Sequence, residues 1–268
     1  MVSAKMAIAK IKIYLQLKSQ YLKTQMEYPA NFRMMVFSGV LMRTLMMGVA
    51  FVLYRNIPDI AGWREGEIYL ILGFMFASEG ITSIMTDGIW HLPALVFRGE
   101  FDVMLSRPIS PLYQILSYEI GLQGIGVLFM GFLSCGLGLL SLGWLTPLSV
   151  FLCILFMLTG AILRSAYNLI GASSIFWHGA GGQVNAPFLV YSIGEYARYP
   201  VSIYPGFMQF ILLVIIPAGF AGFVPVLILR GEKPVIYTLA LAAITVIYSL
   251  AARAIFYTGA RKYQSMGM

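Results

Sequence analysis

Charge is scarce in this sequence. Only 11% of its 268 residues are Asp, Glu, Lys or Arg, against 59% hydrophobic, whereas a soluble domain carries about 25% charged residues. That deficit excludes a water-solvated globule. Histidine is rarer still, with His91 and His178 far apart and no HExxH between them, which argues against a zinc-type site. The two cysteines, Cys135 and Cys153, lie inside apolar runs and in no CxxC or metal spacing. They read as small buried hydrophobes and leave the redox compartment open. GxxxxGK[ST] and GxSxG are both missing, so neither a P-loop nor a nucleophile elbow is present. The net charge of +7 is not the signature of a nucleic-acid binder. Its basic residues flank apolar runs and are not interleaved with exposed aromatics.

What the sequence has is apolar runs long enough to cross a bilayer as helices. Six are expected, near 31–54, 67–90, 113–140, 148–175, 206–229 and 235–257, each able to traverse a core of about 30 Å at about 1.5 Å per residue. The chain reads as an all-α integral membrane protein with one transmembrane domain over 1–268. Residues 4–24 precede the first run. Ile8, Ile11, Leu15 and Leu22 follow helical spacing, and Lys5, Lys12 and Lys23 share another face. Such a segment (1–28 in all) lies in the headgroup layer as an amphipathic helix, or forms a basic cytoplasmic tail. No signal peptide is expected, because this segment is basic and amphipathic and the first apolar run is too long for a signal h-region.

Lys and Arg also set orientation. The N-terminal arm holds Lys5, Lys10, Lys12, Lys18 and Lys23, the 91–112 loop holds Arg98 and Arg107, and the tail holds Arg261 and Lys262. The intervening loops hold fewer, so both termini and the 91–112 loop are expected in the cytoplasm. The region "YPVSIYPGFMQFILLVIIPAGFAGFVPVLILRGEKP" carries Pro205, Pro217, Pro225 and Pro234. Proline breaks or kinks a helix, and broken backbone at membrane depth must be buried in protein or line a cavity. Residues 206–216 are expected to form most of a span, with 217–230 re-entrant or kinked near the outer surface. Ser117–Gly121 and Ser134–Gly138 are small-x-x-x-small pairs that permit close helix packing, within the monomer or at a dimer seam.

Ionisable residues inside spans cost a few kcal/mol each and call for a partner or a role. Arg43 and Glu79 fall near mid-bilayer on antiparallel spans, and Glu119 and Arg164 fall in the inner half of the next two. Two interspan ion pairs are expected, either purely structural or lining a polar pathway. Met35, Met42 and Met46 lie near one face of the first span, as a core or lipid-facing stripe or as an adaptable substrate surface.

Between the second and third runs stands "FRGEFDVMLSRPISPLYQ". Phe101, Met104 and Leu105 share a helical face, Asp102 and Arg107 reach water, a partner or each other, and Pro108 stops the helix. The segment resembles the cytoplasmic element of ABC-2 type exporter permeases, in the branch with G-x-x-D-x-x-L-x-R-P, met here by Gly99, Asp102, Leu105, Arg107 and Pro108. "IFWHGAG", the Pro-punctuated region and the tail "YTGARKYQSMGM" agree with that branch, although Gly267-Met268 stands where Gly-Gly is usual. The resemblance implies a permease subunit without catalytic residues, located in the bacterial cytoplasmic membrane. It implies a six-helix fold with a coupling helix within 91–112, between spans two and three. Gly99, Phe101, Asp102, Leu105 and Arg107 would couple it to a separate ABC ATPase present in two copies. ATP and Mg would sit on that partner and no cofactor on this chain. A second permease, identical or paralogous, would complete the exporter, with the lipid bilayer around it and no nucleic acid involved. The competing readings are an ion-coupled secondary transporter using Arg43, Glu79, Glu119 and Arg164, and a membrane-embedded enzyme. The first should show internal repeats and the second a cluster of His, Asp and Glu, and the sequence displays neither.

Overall fold

The structure is a computed structural model that describes residues 2–57, 61–178 and 186–263. Gly267 and Met268 of the tail motif, the glycines of "IFWHGAG", and the side chains of Lys5, Ile8, Ile11 and His178 lie outside the described residues. All regular structure among the described residues is helical. The long α1 (Val2–Met26) precedes α2 (Pro29–Asn56), which Pro29 opens in its first turn, where a missing N–H costs nothing. Next, α3 (Glu65–Thr86) continues through a 3-10 turn at Asp87–His91 into α4 (Leu92–Phe97). The short α5 (Glu100–Ser106) and α6 (Pro111–Ser117) lead to α7 (Gln123–Leu142), α8 (Pro147–Ser173) and α9 (Ile175–His178). The chain then forms α10 (Ala186–Glu195), α11 (Gly206–Phe210, followed by a π turn), α12 (Phe223–Arg230) and α13 (Pro234–Lys262). Five helical stretches are long and apolar enough to cross a membrane, and 206–215 with 218–230 form a pair bent by 75°. The protein is a multi-pass membrane protein.

At the centre, α3 packs along α7 and α8, while α2 leans on α7 and α13 on α8. Between equally apolar phases the gain comes from close packing more than from water exclusion, and the α3–α7 seam shows how closeness is reached. A Cβ on Gly131 would lie 2.6 Å from the Ala77 amide nitrogen, and one on Gly80 2.6 Å from that of Leu128. Across the same seam the Ser134 hydroxyl donates to the Tyr69 carbonyl at 2.7 Å. The Ser134–Gly138 pair therefore serves packing inside the monomer.

Two ends of the bundle can be told apart by their contacts. At one, the α5 end, Phe101 meets Phe176, Phe256 and Tyr263. At the other, the Trp63 end, Trp63 Nε1 donates to Ser202 Oγ at 2.9 Å and Arg230 donates to the Gly62 carbonyl at 2.8 Å. Residues 186–203 run from the first end to the second. Val190 packs on Gly171, Gly194 on Tyr167, Arg198 reaches Glu79 and Ser202 reaches Trp63. This stretch is the fifth crossing, where the sequence pointed to 206–229. The segment 206–230 leaves the Trp63 end, turns at Pro217, and returns to the same end at Arg230. Its tip lies among Gly194, Gly160 and Ser78 through Ala218 and Ala221. It is a re-entrant hairpin. Tyr248 of α13 donates to the Ile215 carbonyl at 3.1 Å, satisfying backbone that the bend leaves open.

The third expected span is also shorter than 113–140. The chain breaks after Ser117, where Gly121 N–H donates to the Ser83 carbonyl at 3.0 Å, and the crossing helix begins at Gln123. Among the described residues six stretches run from one end of the bundle to the other, and α1 and the end of α13 stand at the same end.

Candidate functional site

Two groups of residues stand out. The first is a layer of charge inside the bundle. Arg43 of α2 pairs with Glu79 of α3. Glu79 also holds Arg198 at 2.9 Å, Arg198 pairs with Glu195 one turn before it, and Glu195 holds Arg164 of α8 at 2.8 Å. Five side chains thus form one continuous chain of ion pairs across four elements. Arg43 and Arg198 lie over the Phe76 ring at 5.4 and 5.8 Å, and Arg164 over Tyr191 at 5.3 Å. Aromatic faces add cation–π attraction where water is excluded.

The second expected pair does not form. Glu119 sits in the break between α6 and α7, outside any helix, and its carboxylate meets His91 Nε2 at 2.7 Å. Arg164 turns instead to Glu195. Glu195 and Arg198 are functional candidates that the sequence reading missed; their only signal was an oppositely charged i,i+3 pair in an otherwise apolar stretch. The methionines divide: Met42 is exposed, Met35 is half-buried, and Met46 approaches Arg198 with its sulfur 3.3 Å from Nη1. They do not make one surface.

Beside the layer is a cavity of about 330 Å³ lined by Glu79, Asp87, Trp90, Arg164, Asn168 and Tyr191, among others. Arg164 and Asn168 are 2% and 3% exposed, and Arg164 Nη1 and Asn168 Oδ1 have no hydrogen-bond partner. Among the described residues, no three His, Cys, Asp or Glu side chains stand where they would hold a metal ion.

The second group is the α5 element. Gly99 has φ +72°, a conformation costly for residues with a Cβ, and it turns the chain into α5. Phe101 is fully buried against Phe176, Phe256 and Tyr263, with ring centroids 5.2, 6.4 and 5.3 Å away. It anchors the helix to its own chain and offers nothing to a partner, which corrects the expectation of a shared outward apolar face. Met104 is likewise buried, whereas Val103 and Leu105 are exposed. Asp102 lies beside Tyr263, where burial first and that carboxylate next push the phenol pKa up. Arg107 is exposed and donates to Gln114 at 3.4 Å. Gln114 was not anticipated: its amide donates to the Met104 and Ile109 carbonyls, both at 2.8 Å, and so holds the turn after α5.

Next to this element, α1 packs on α6. Tyr14 donates to the Met85 carbonyl and Lys18 to the Glu119 carbonyl. Lys18 is buried, which the basic face of α1 did not foretell. Burial lowers its pKa to about 8, against the opposing pull of Asp87 and Glu119. Burial also pushes the Tyr14 phenol up to about 12.

The sequence model of the ABC-2 family transporter proteins matches residues 40–267. The chain belongs to this family. The match covers most of the chain, from within α2 through α13, and makes it a permease-type membrane transporter. Comparison of this ABC-2 permease with curated proteins finds no match, and comparison with solved structures finds none either.

Proposed function

We propose that this ABC-2 permease is the membrane subunit of a bacterial exporter. Two copies of a separate cytoplasmic ATPase bind ATP and Mg. A second permease, identical or paralogous, completes the pathway, and substrate leaves outward. The α5 end, with both termini, faces the cytoplasm, in keeping with the Lys and Arg of α1, the 91–112 loop and the tail. This chain contributes no catalytic residue.

The observation that carries the reading is the build of α5. A connection between spans does not need a fully buried aromatic anchor, a left-handed glycine and a glutamine-tied turn. An element that receives force does, because a push on its exposed face must move the bundle and not the loop. The exposed side chains of and before α5 include Arg98, Glu100, Val103 and Leu105. Apolar contacts there would supply most of the docking energy, and the charges its register. Beneath it, Phe101 transmits displacement to α9 and α13. The charge layer keeps α2, α3, α8 and residues 186–198 moving together.

The test is co-purification from the native host followed by reconstitution in vesicles. An ATPase should copurify, and ATP should drive export. Absence of any associated ATPase, with transport driven by an ion gradient, would overturn the reading.

A further inference from the structure

Arg164 is a buried guanidinium with one carboxylate partner and an open donor. The layer sets three guanidinium groups, Arg43, Arg164 and Arg198, against two carboxylates, Glu79 and Glu195. Glu79 is taken up by Arg43 and Arg198, and Glu195 is shared between Arg198 and Arg164. Arg164 thus meets a single carboxylate through Nη2, and its Nη1 has no partner. A buried guanidinium with an open donor is expensive. The neighbouring residue one turn along, Asn168, is as deeply buried; its Oδ1, an acceptor, is unanswered, and its Nδ2 is the donor it can offer to an anion. Both line the same cavity, whose further wall carries Trp90 and Tyr191, with ring centroids 5.3 Å apart. Phe188, 63% exposed, stands at the cavity's margin. The remaining acid of the lining, Asp87, is hydrogen-bonded by Ser83 at 3.3 Å and lies near Glu119 as well as His91 and Lys18.

We infer that this cavity binds an anionic group, a carboxylate or a phosphate, with Arg164 as the charge partner and Asn168 as the orienting amide. The aromatic walls would take the apolar part of the same molecule. The inference rests on the permease reading for its biological meaning, since it makes the anion part of the transported substrate or of a bound lipid. Arginine suits the role because its charge persists at all accessible pH and its planar fork matches either anion.

The experiment uses the full chain purified in phospholipid-free detergent. The unfolding midpoint is followed against inorganic phosphate, acetate and dihexanoyl phosphatidic acid, at ionic strength fixed with chloride. At least one anion should raise the midpoint saturably. A response to phosphate or acetate assigns a free anion, and a response to the phosphatidic acid alone assigns a lipid headgroup. Asn168→Asp places a carboxylate beside Arg164. It should unfold no earlier than wild type and lose the anion response. Arg164→Lys should weaken half-saturation by at least about tenfold, by loss of a charge-assisted hydrogen bond. The inference is overturned if no anion stabilises the wild type, or if a folded Asn168→Asp responds as wild type does. ATPase copurification is measured in parallel. Its success without an anion response sinks this inference alone, and an anion response without any ATPase sinks the exporter reading alone.

Discussion

The Arg198 guanidinium lies 2.9 Å from the Glu79 carboxylate, although the two residues are 119 positions apart in the chain. Glu79 is therefore shared between Arg43 and Arg198, and its loss leaves Arg43 without a carboxylate and Arg198 with Glu195 alone. Glu79→Gln should destabilise the protein by about 3–5 kcal/mol, the cost of stranding buried charge. Arg43→Met should cost less, because Arg198 still answers Glu79. In the double variant the cost should fall below the sum of the singles. Denaturant unfolding of the four proteins checks this, and strict additivity would show that the pair does not interact.

Phe101 and Leu105 should part company. Phe101→Ala removes a fully buried ring from an aromatic cluster and should destabilise by about 3–5 kcal/mol, with the 97–107 segment becoming protease-sensitive. Leu105→Ala and Val103→Ala remove exposed side chains and should leave thermal stability within about 0.5 kcal/mol, while weakening ATPase association and uncoupling hydrolysis from export. Unchanged association in both of the exposed-residue variants would remove α5 as the coupling element.

The re-entrant hairpin gives a labelling pattern that a sixth straight helix would not. Cysteines at Gly62, Gly143, Ile203 and Lys233 should all react with an impermeant reagent from outside intact cells. One at Gly99 should react only after the cells are opened. Protection of Ile203 from outside, with Lys233 labelled, would mean that 206–230 crosses the membrane outright.

Lys18 makes the docking of α1 pH-dependent. Its pKa falls from 10.5 to about 8 on burial, so between those values the released helix carries a proton that the docked helix has shed. Docking is therefore weakest below about pH 8 and strengthens as pH rises toward 10.5. Lys18→Met should flatten this dependence. Spin labels at Lys12 and Ser106 would report it: their distance distribution should narrow between pH 7 and pH 10 in the wild type and not in the variant.

The Arg43–Glu79 pair was legible in the sequence because two long apolar runs fix two antiparallel helices, and the rise per residue then sets the depth of each charge. Glu119 was misplaced for the opposite reason. The break at Ser117–Leu122 contains no proline, so hydropathy alone carries the span through it. Residues 186–203 were not seen as a crossing because α10 supplies only ten helical residues before the chain tightens into 3-10 turns. No 3.6-residue period survives over a membrane's width. The four prolines signalled broken backbone near the outer surface but not whether the segment is re-entrant or a kinked span; that is set by Trp63 and Arg230, whose partners are remote in sequence. Helical spacing likewise grouped Phe101 with Leu105, yet only the tertiary cluster of Phe176, Phe256 and Tyr263 determines which of them turns inward.

The hairpin 206–230 is held at its rim and along its length: Ser202 meets Trp63, Arg230 meets Gly62 and Glu67, Tyr248 holds the Ile215 carbonyl, and Ala218 and Ala221 pack beside Gly194 and Gly160. It is a wedge. Close packing leaves no slack at its tip, so a shift of the rim at Trp63 would be passed inward to the helices that carry Glu79 and Arg164.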